Sequence, residues 1–181
     1  MKTTNRKQQI IDAALYLFAN NGFIGTSTAL IAKEAKVSEA LIFKYFGNKN
    51  KLLVYIIKAG YEKAVEHSRG MLQEKNALQF IHKTIDLPFM FVKDDPLFWK
   101  LQNRLMVELD FSHKQHERFI LPVHAPLKKA FTDLGYEHPA RETEVILMLV
   151  DSLWKMQVSK QNKNASEIAQ LIKSKYDSKK K

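Results

Sequence analysis

Two sets of residues in this chain have the types and spacing to do chemistry. Asp110, His113, His116 and Glu117 bring carboxylates and imidazoles to intervals that share one helix face, a donor set suited to a divalent metal. A di-metal helical bundle, however, needs two Glu-x-x-His motifs and carboxylates from four helices. The sequence has no such set, and Ser112 to Glu117 reads equally as a polar loop between helices, so no metal is expected. The second set lies near the front. Glu39, Ala40 and Leu41 open a short helical stretch, Lys44 follows one turn on, and another short helix precedes them across a three-residue turn. Side chains placed in this way suit the base edges of a major groove. There is no Ser/His/Asp spacing, phosphate-cradling glycine loop or dinucleotide fingerprint. Zero cysteines exclude disulfides, thiolate metal sites and thiol nucleophiles. Neither a catalytic residue nor a cofactor is expected.

Charge separates the two sets. The 181 residues carry 29 Lys+Arg against 19 Asp+Glu, a formal excess of +10. Residues 1–54 hold Lys2, Arg6, Lys7, Lys33, Lys36, Lys44, Lys49 and Lys51 against only Asp12, Glu34 and Glu39, so half of the excess sits there. Most of the remainder is Lys173, Lys175, Lys179, Lys180 and Lys181, which read most simply as a solvated chain end. A basic surface at the front suits a polyanion. The start is basic without the apolar stretch of a signal peptide, and the longest apolar run, Val145 to Val150, is far short of a membrane span of about 20 residues. A cytoplasmic protein with no membrane partner is expected.

The elements that must position these residues are helical throughout. Ile10, Ile11, Ala14, Leu15 and Phe18 recur at helical spacing behind a cap at Thr3 or Thr4, and Asn20-Asn21-Gly22 stops that helix. Thr26-Ser27-Thr28 caps a short helix with Leu30, Ile31, Ala32 and Ala35. Lys36-Val37-Ser38 turns with Val37 inward, and Glu39 to Phe46 follows until Gly47-Asn48. Longer helices are predicted from Lys51 to about His67, from Ala77 to Val92 with Pro88 inside, and from Pro96. Others are predicted over about Glu117 to Leu134 with Pro122 and Pro126 in its first turns, from Pro139 to about Ser159, and after the capping box Asn164-x-x-Glu167. No segment alternates with strand period. The fold class is all-α: an N-terminal three-helix helix-turn-helix domain over 1–52, then a helical domain over 53–181.

The front residues also carry a likeness. Ile11-x-Ala13-Ala14-x-x-Leu17-Phe18, Gly22-Phe23, Thr26 and Ile31-Ala32-x-x-Ala35-x-Val37-Ser38 lead into Ile42-Phe43-Lys44-Tyr45-Phe46-x-x-Lys49-x-x-Leu52-Leu53. Together they closely resemble the TetR/AcrR family of bacterial transcriptional regulators over roughly residues 5–54. The resemblance implies a DNA-binding domain followed by an effector-binding and dimerisation domain. It implies that Thr28 contacts a phosphate, and that Ser38, Phe43, Lys44, Tyr45 and Lys49 hold the backbone of a double-stranded DNA operator or read its bases. On that expectation, losing Lys49 flattens the salt dependence of binding by about one unit. Glu39, Ala40 and Leu41 are the expected sequence readers. Three positions depart from the family's pattern. Lys36 stands where glycine is usual, at a cost of about 1 kcal/mol if left-handed. Phe43 lacks a frequent tyrosine hydroxyl and offers an apolar contact, such as to a thymine methyl. Glu39 brings an acid to the DNA side, either to accept from a cytosine amino group or to turn aside as helix-start charge.

The later helices carry two further candidate sites. Val145, Ile146, Met148, Leu149, Val150, Leu153, Trp154 and Met156 surround their helix on more than one face. Such a helix is either the core of a monomer or, as the resemblance implies, half of a four-helix dimer interface in which Leu149, Leu153 and Trp154 meet Ile168, Leu171 and Ile172 across a two-fold axis. Phe89, Phe98, Trp99 and Met106 belong to an aromatic and methionine-rich strip. Singly they read as core. Together they would line a cavity for a small, apolar effector, with Gln102, Asn103, His82 or Glu108 orienting it and Pro88 kinking the helix beside it. The expected function is a dimeric, ligand-responsive transcriptional regulator, read as a repressor. The alternatives are a helical protein-binding adaptor and a helical metal-binding enzyme.

Overall fold

The computed structural model describes residues 6–159 and 164–177, without the side chains of Val107 and Glu108. The capping positions Thr3 and Thr4, the lysines Lys179, Lys180 and Lys181, and the Glu108 side chain lie outside the described residues. Within them the chain is helical and contains no strand, as the sequence periodicity requires. The elements are α1 (Arg6–Asn21), α2 (Thr28–Glu34), α3 (Glu39–Phe46), α4 (Lys49–Ser68), a single 3-10 turn (Met71–Gln73), α5 (Ala77–Asp94), α6 (Pro96–Glu108), α7 (Asp110–Asp133), α8 (Pro139–Ser159) and α9 (Ala165–Asp177). No helix among the described residues is long and apolar enough to cross a membrane.

Local chemistry accounts for the ends. Ser27 caps α2 by accepting from Leu30 N–H at 3.1 Å, and Asn76 caps α5 through Gln79 N–H at 2.9 Å. Gly47 ends α3 at φ 80°, a left-handed value that only a residue without Cβ takes at no steric cost. The α7 prediction needs correction. Ser112 to Glu117 is not a loop but lies within α7, which begins at Asp110, about two turns earlier than the prolines suggest. Pro122 and Pro126 therefore sit in the helix interior, where each lacks the N–H owed to the carbonyls of Arg118 and Pro122. The leading turns survive because straight-chain polar residues such as Lys114, Gln115 and Glu117 are good helix formers and let α7 form ahead of them.

Packing divides the chain into two compact units. The first comprises the residues up to Lys63 together with Leu97–His113; the second comprises Ala64–Pro96 together with Lys114 onward. The expected boundary at 52/53 falls inside α4, which runs through it unbroken. In the first unit Ile10, Ala14, Leu17 and Phe18 of α1 are buried, as are Ile31 of α2, Ile42 and Phe46 of α3, and Leu52, Leu53, Ile56 and Ile57 of α4. Each such aliphatic or aromatic side chain contributes about 1.5–3 kcal/mol by leaving water. The second unit has its own core of Phe80, Ile81, Ile85, Leu127, Phe131, Ile146, Leu153, Ala169 and Ile172. There α5 packs on α8 and α9, and Lys173 of α9 pairs with Asp86 of α5 at 2.5 Å.

Candidate nucleic-acid interface

α2 and α3 form a helix-turn-helix. Ala32 and Ala35 are buried where the helices meet, so small side chains set the close approach, and Val37 N–H donates to Ala32 C=O at 3.0 Å across the turn. Lys36 adopts φ 54°, the left-handed conformation for which glycine is the low-cost residue. Its carbonyl accepts from the Arg6 guanidinium at 3.3 Å, which helps to hold the strained turn.

α3 is two-faced. Ile42 and Phe46 are buried, while Ala40, Phe43, Lys44 and Tyr45 are exposed and Leu41 is half-buried. The rings of Phe43 and Tyr45 are 46% and 43% exposed, an unusual cost on an eight-residue helix. Ser38 occupies the N-cap position but makes no capping bond with its hydroxyl. Thus Ser38, Ala40, Phe43, Lys44 and Tyr45 come together at or next to one presented surface.

The other expected contacts are committed elsewhere. The Thr28 hydroxyl donates to the Glu39 carboxylate, joining the first residue of α2 to the first residue of α3. Glu39 therefore turns aside onto its neighbouring helix, one of the two arrangements open to it. Lys49 points inward. Its Nζ donates to the carbonyls of Phe23 at 2.9 Å and Thr26 at 2.8 Å and lies 4.3 Å from the Phe23 ring centroid. Lys7 joins the same unit by a cation–π contact, 4.5 Å from the Tyr55 centroid. The direction of such lysines has no signature in residue spacing.

The expected effector residues fall in both units, and within the first unit several of them pack against one another. In the first unit the Phe98, Trp99 and Tyr61 rings pack edge to face with centroids 5.0–5.8 Å apart. Phe98 and Trp99 are buried, and a Cβ at Gly60 would come within 2.1 Å of the Phe98 ring. Gln102 is fully buried. It accepts from the Ser112 hydroxyl at 2.9 Å and donates to the Ser112 carbonyl at 3.2 Å. Burial pushes the Tyr61 phenol above its ordinary range, partly offset by its hydrogen bond with Gln102. These side chains form a buried, hydrogen-bonded cluster. Asn103 and Met106 are half-buried on the same helix, whereas Phe89 belongs to the second unit. Among the described residues, that unit carries open grooves of its own. One of about 520 Å³ runs past Leu72, Phe80, Pro126 and Lys129, and one of about 290 Å³ runs past Met71, Leu87 and Met90. α5 continues through Pro88 as one helical element.

The expected dimer residues divide as well. Leu153, Trp154 and Ile172 are 1%, 4% and 5% exposed within the protomer, and Leu149 and Ile168 are half-buried against its core. Leu171 is 58% exposed, and so are two α8 side chains that the expected interface set omits, Val145 at 46% and Met148 at 69%. The i, i+3 spacing of Val145 and Met148 was the available signal. The His116 ring stacks on Trp154 with centroids 5.0 Å apart, its Nε2 3.9 Å from Asp151. Among the described residues no three His, Asp or Glu side chains cluster as a metal site.

Residues 10–56 match the family model for bacterial regulatory proteins, tetR family. The HTH-type transcriptional regulator HbdR of Aromatoleum sp. (strain CIB) is 47% identical over 53 residues, 29% of this chain and 23% of that protein. Such matches are local, and this chain spans under a quarter of that relative. Over the whole fold, FadR of Bacillus subtilis in complex with stearoyl-CoA superposes with a TM-score of 0.70 at 21% identity, covering 92% of this chain and 97% of that one. AibR in complex with isovaleryl coenzyme A and operator DNA gives 0.72 at 17% identity, over 94% and 97%. HbdR and FadR are described as transcriptional regulators.

Proposed function

We propose, from the premise that this chain belongs to the tetR family of bacterial regulatory proteins, that it is a cytoplasmic, homodimeric repressor released from a palindromic operator by a small effector. Residues 1–52 serve DNA binding and residues 53–181 serve effector binding and dimerisation. The observation that carries the reading is the outer face of α3, where Phe43, Lys44 and Tyr45 stand exposed beside the unspent Ser38 hydroxyl on a helix whose other face is core. A lysine and a hydroxyl suit phosphates, and Ala40, Leu41 and Phe43 suit thymine methyls and base edges. Two copies related by a two-fold axis would present two such helices to successive major grooves. On α8 and α9, Val145, Met148 and Leu171 are exposed apolar side chains that would make that dimer. The effector class to try first is an acyl-coenzyme A, because two proteins of this fold are described with one bound.

Selection of duplexes from a random pool, repeated with acyl-coenzyme A thioesters of increasing chain length, tests the proposal. A palindromic consensus whose binding weakens steeply with salt and is lost on adding one thioester is the expected result. No enriched duplex would overturn DNA binding. An enriched duplex indifferent to every thioester would overturn the effector class alone.

A further inference from the structure

We infer that Lys49 is a positioning residue for duplex binding and not a phosphate ligand, an inference that rests on the DNA-binding reading above. An ammonium has three N–H donors and no acceptor. Lys49 directs two of them at the carbonyls of Phe23 and Thr26 and places its charge against the Phe23 ring. The carbonyls it holds belong to the connection between α1 and α2. That connection is otherwise tied by Thr26 Oγ donating to Gly22 C=O at 2.8 Å and by the Phe23 ring packed 5.3 Å from Phe18. Backbone carbonyls outside a helix ladder need a donor from somewhere, and here the first residue of α4 supplies it. The two residues after Thr26 are Ser27, which caps α2, and Thr28, whose hydroxyl reaches Glu39 at the head of α3. A chain of hydrogen bonds thus runs from the start of α4 through the connection to the start of α2 and on to the helix that faces DNA. Lys49 sets the position of those two helix starts. Lys44, exposed on α3, is placed to neutralise phosphate instead.

Duplex affinity measured across a salt series separates the two roles, since each phosphate neutralised adds about 0.9 to the slope of log affinity against log salt. Lys49→Met is expected to bind about tenfold more weakly at every salt concentration with the slope unchanged to within about 0.3, while Lys44→Met makes the slope shallower by about one. A Lys49→Met slope shallower by about one, or an affinity equal to that of the unaltered chain, would overturn the inference. Because the variant removes internal hydrogen bonds, nitrogen-15 NMR of the lysine side chains in the unaltered protein is the second measurement. The Lys49 ammonium signal should be protected before DNA is added and stay in place afterwards, with the Lys44 signal moving. A Lys49 signal that shifts as far as that of Lys44 also overturns it. Failure of the unaltered chain to bind any selected duplex counts against the DNA-binding reading instead and is seen before either variant is made.

Discussion

The helix-turn-helix and the unit formed by Ala64–Pro96 with Lys114 onward are joined between their helices by different kinds of contact. Around α2 and α3, Ser27, Thr26, Thr28, Glu39 and Lys49 each have a defined partner within the motif, several of them backbone atoms. In the second unit the helices meet through Phe80, Ile85, Phe131, Ile146 and Leu153, and the charged pairs, such as Lys173 with Asp86 or Lys83 with Glu74, lie toward the surface. A bond to a particular carbonyl demands a particular residue, whereas an apolar core accepts many residues of similar total volume. Likeness to relatives is dense over the first motif, 47% over 53 residues, and thinner across the whole fold, at 21%.

The largest expected effects come from the packed cores, where both units should behave alike. Phe98→Ala and Leu153→Ala should each lower stability, by about 3–5 and 2–5 kcal/mol respectively in urea unfolding. Gly60→Ala should cost about 1–3 kcal/mol by driving a methyl into the Phe98 ring. If Phe98→Ala were tolerated within about 0.5 kcal/mol, the first unit would be loosely filled there and the effector strip would return as a cavity. Next, Met148→Glu with Leu171→Glu should leave stability within about 0.5 kcal/mol yet yield monomers in sedimentation. A persistent dimer would move the interface away from these side chains.

Lys36→Gly sharpens the contrast in the other direction, since relief of the left-handed turn should raise stability by about 0.5–1 kcal/mol. An unchanged unfolding midpoint would mean that the Arg6 bond and the loss of chain flexibility already balance the strain. The smallest effect concerns acid. The Lys83 ammonium and the Asn76 N–H hold the Glu74 carboxyl below its usual range. Its contribution is therefore complete above the usual carboxylate pKa and fades as pH falls through the lowered value. Lys83→Met should flatten that part of the acid profile slightly, because the pair is solvent-exposed.

Much of the fold is legible in the residues themselves. Periodicity and the cap at Ser27 define most helices, and the Ala32, Ala35, Val37 pattern identifies the helix-turn-helix. What escapes is directional. Lys49 has the right type and place for a phosphate contact, and only coordinates reveal that its head turns back to Phe23 and Thr26. Leu149, Leu153 and Trp154 share a helix that is apolar on several faces, so spacing alone does not distinguish the protomer's own core from the face left over. Phe98, Trp99 and Gln102 satisfy the description of a ligand pocket and of a filled core equally well until ring separations are measured. Prolines misled at α7, because the helix starts more than three turns before Pro122.

The first unit is also stitched from two stretches of chain. Severing the polypeptide after residue 52 would cut α4 in its first turns and strip away Ile56, Ile57, Gly60 and Tyr61 along with the α6 rings that pack on them. The helix-turn-helix is therefore no detachable cassette. A chimera that grafts it onto another protein has to carry the chain through Lys63 and also import Leu97–His113, and a protease that nicks between those stretches should leave the two fragments associated.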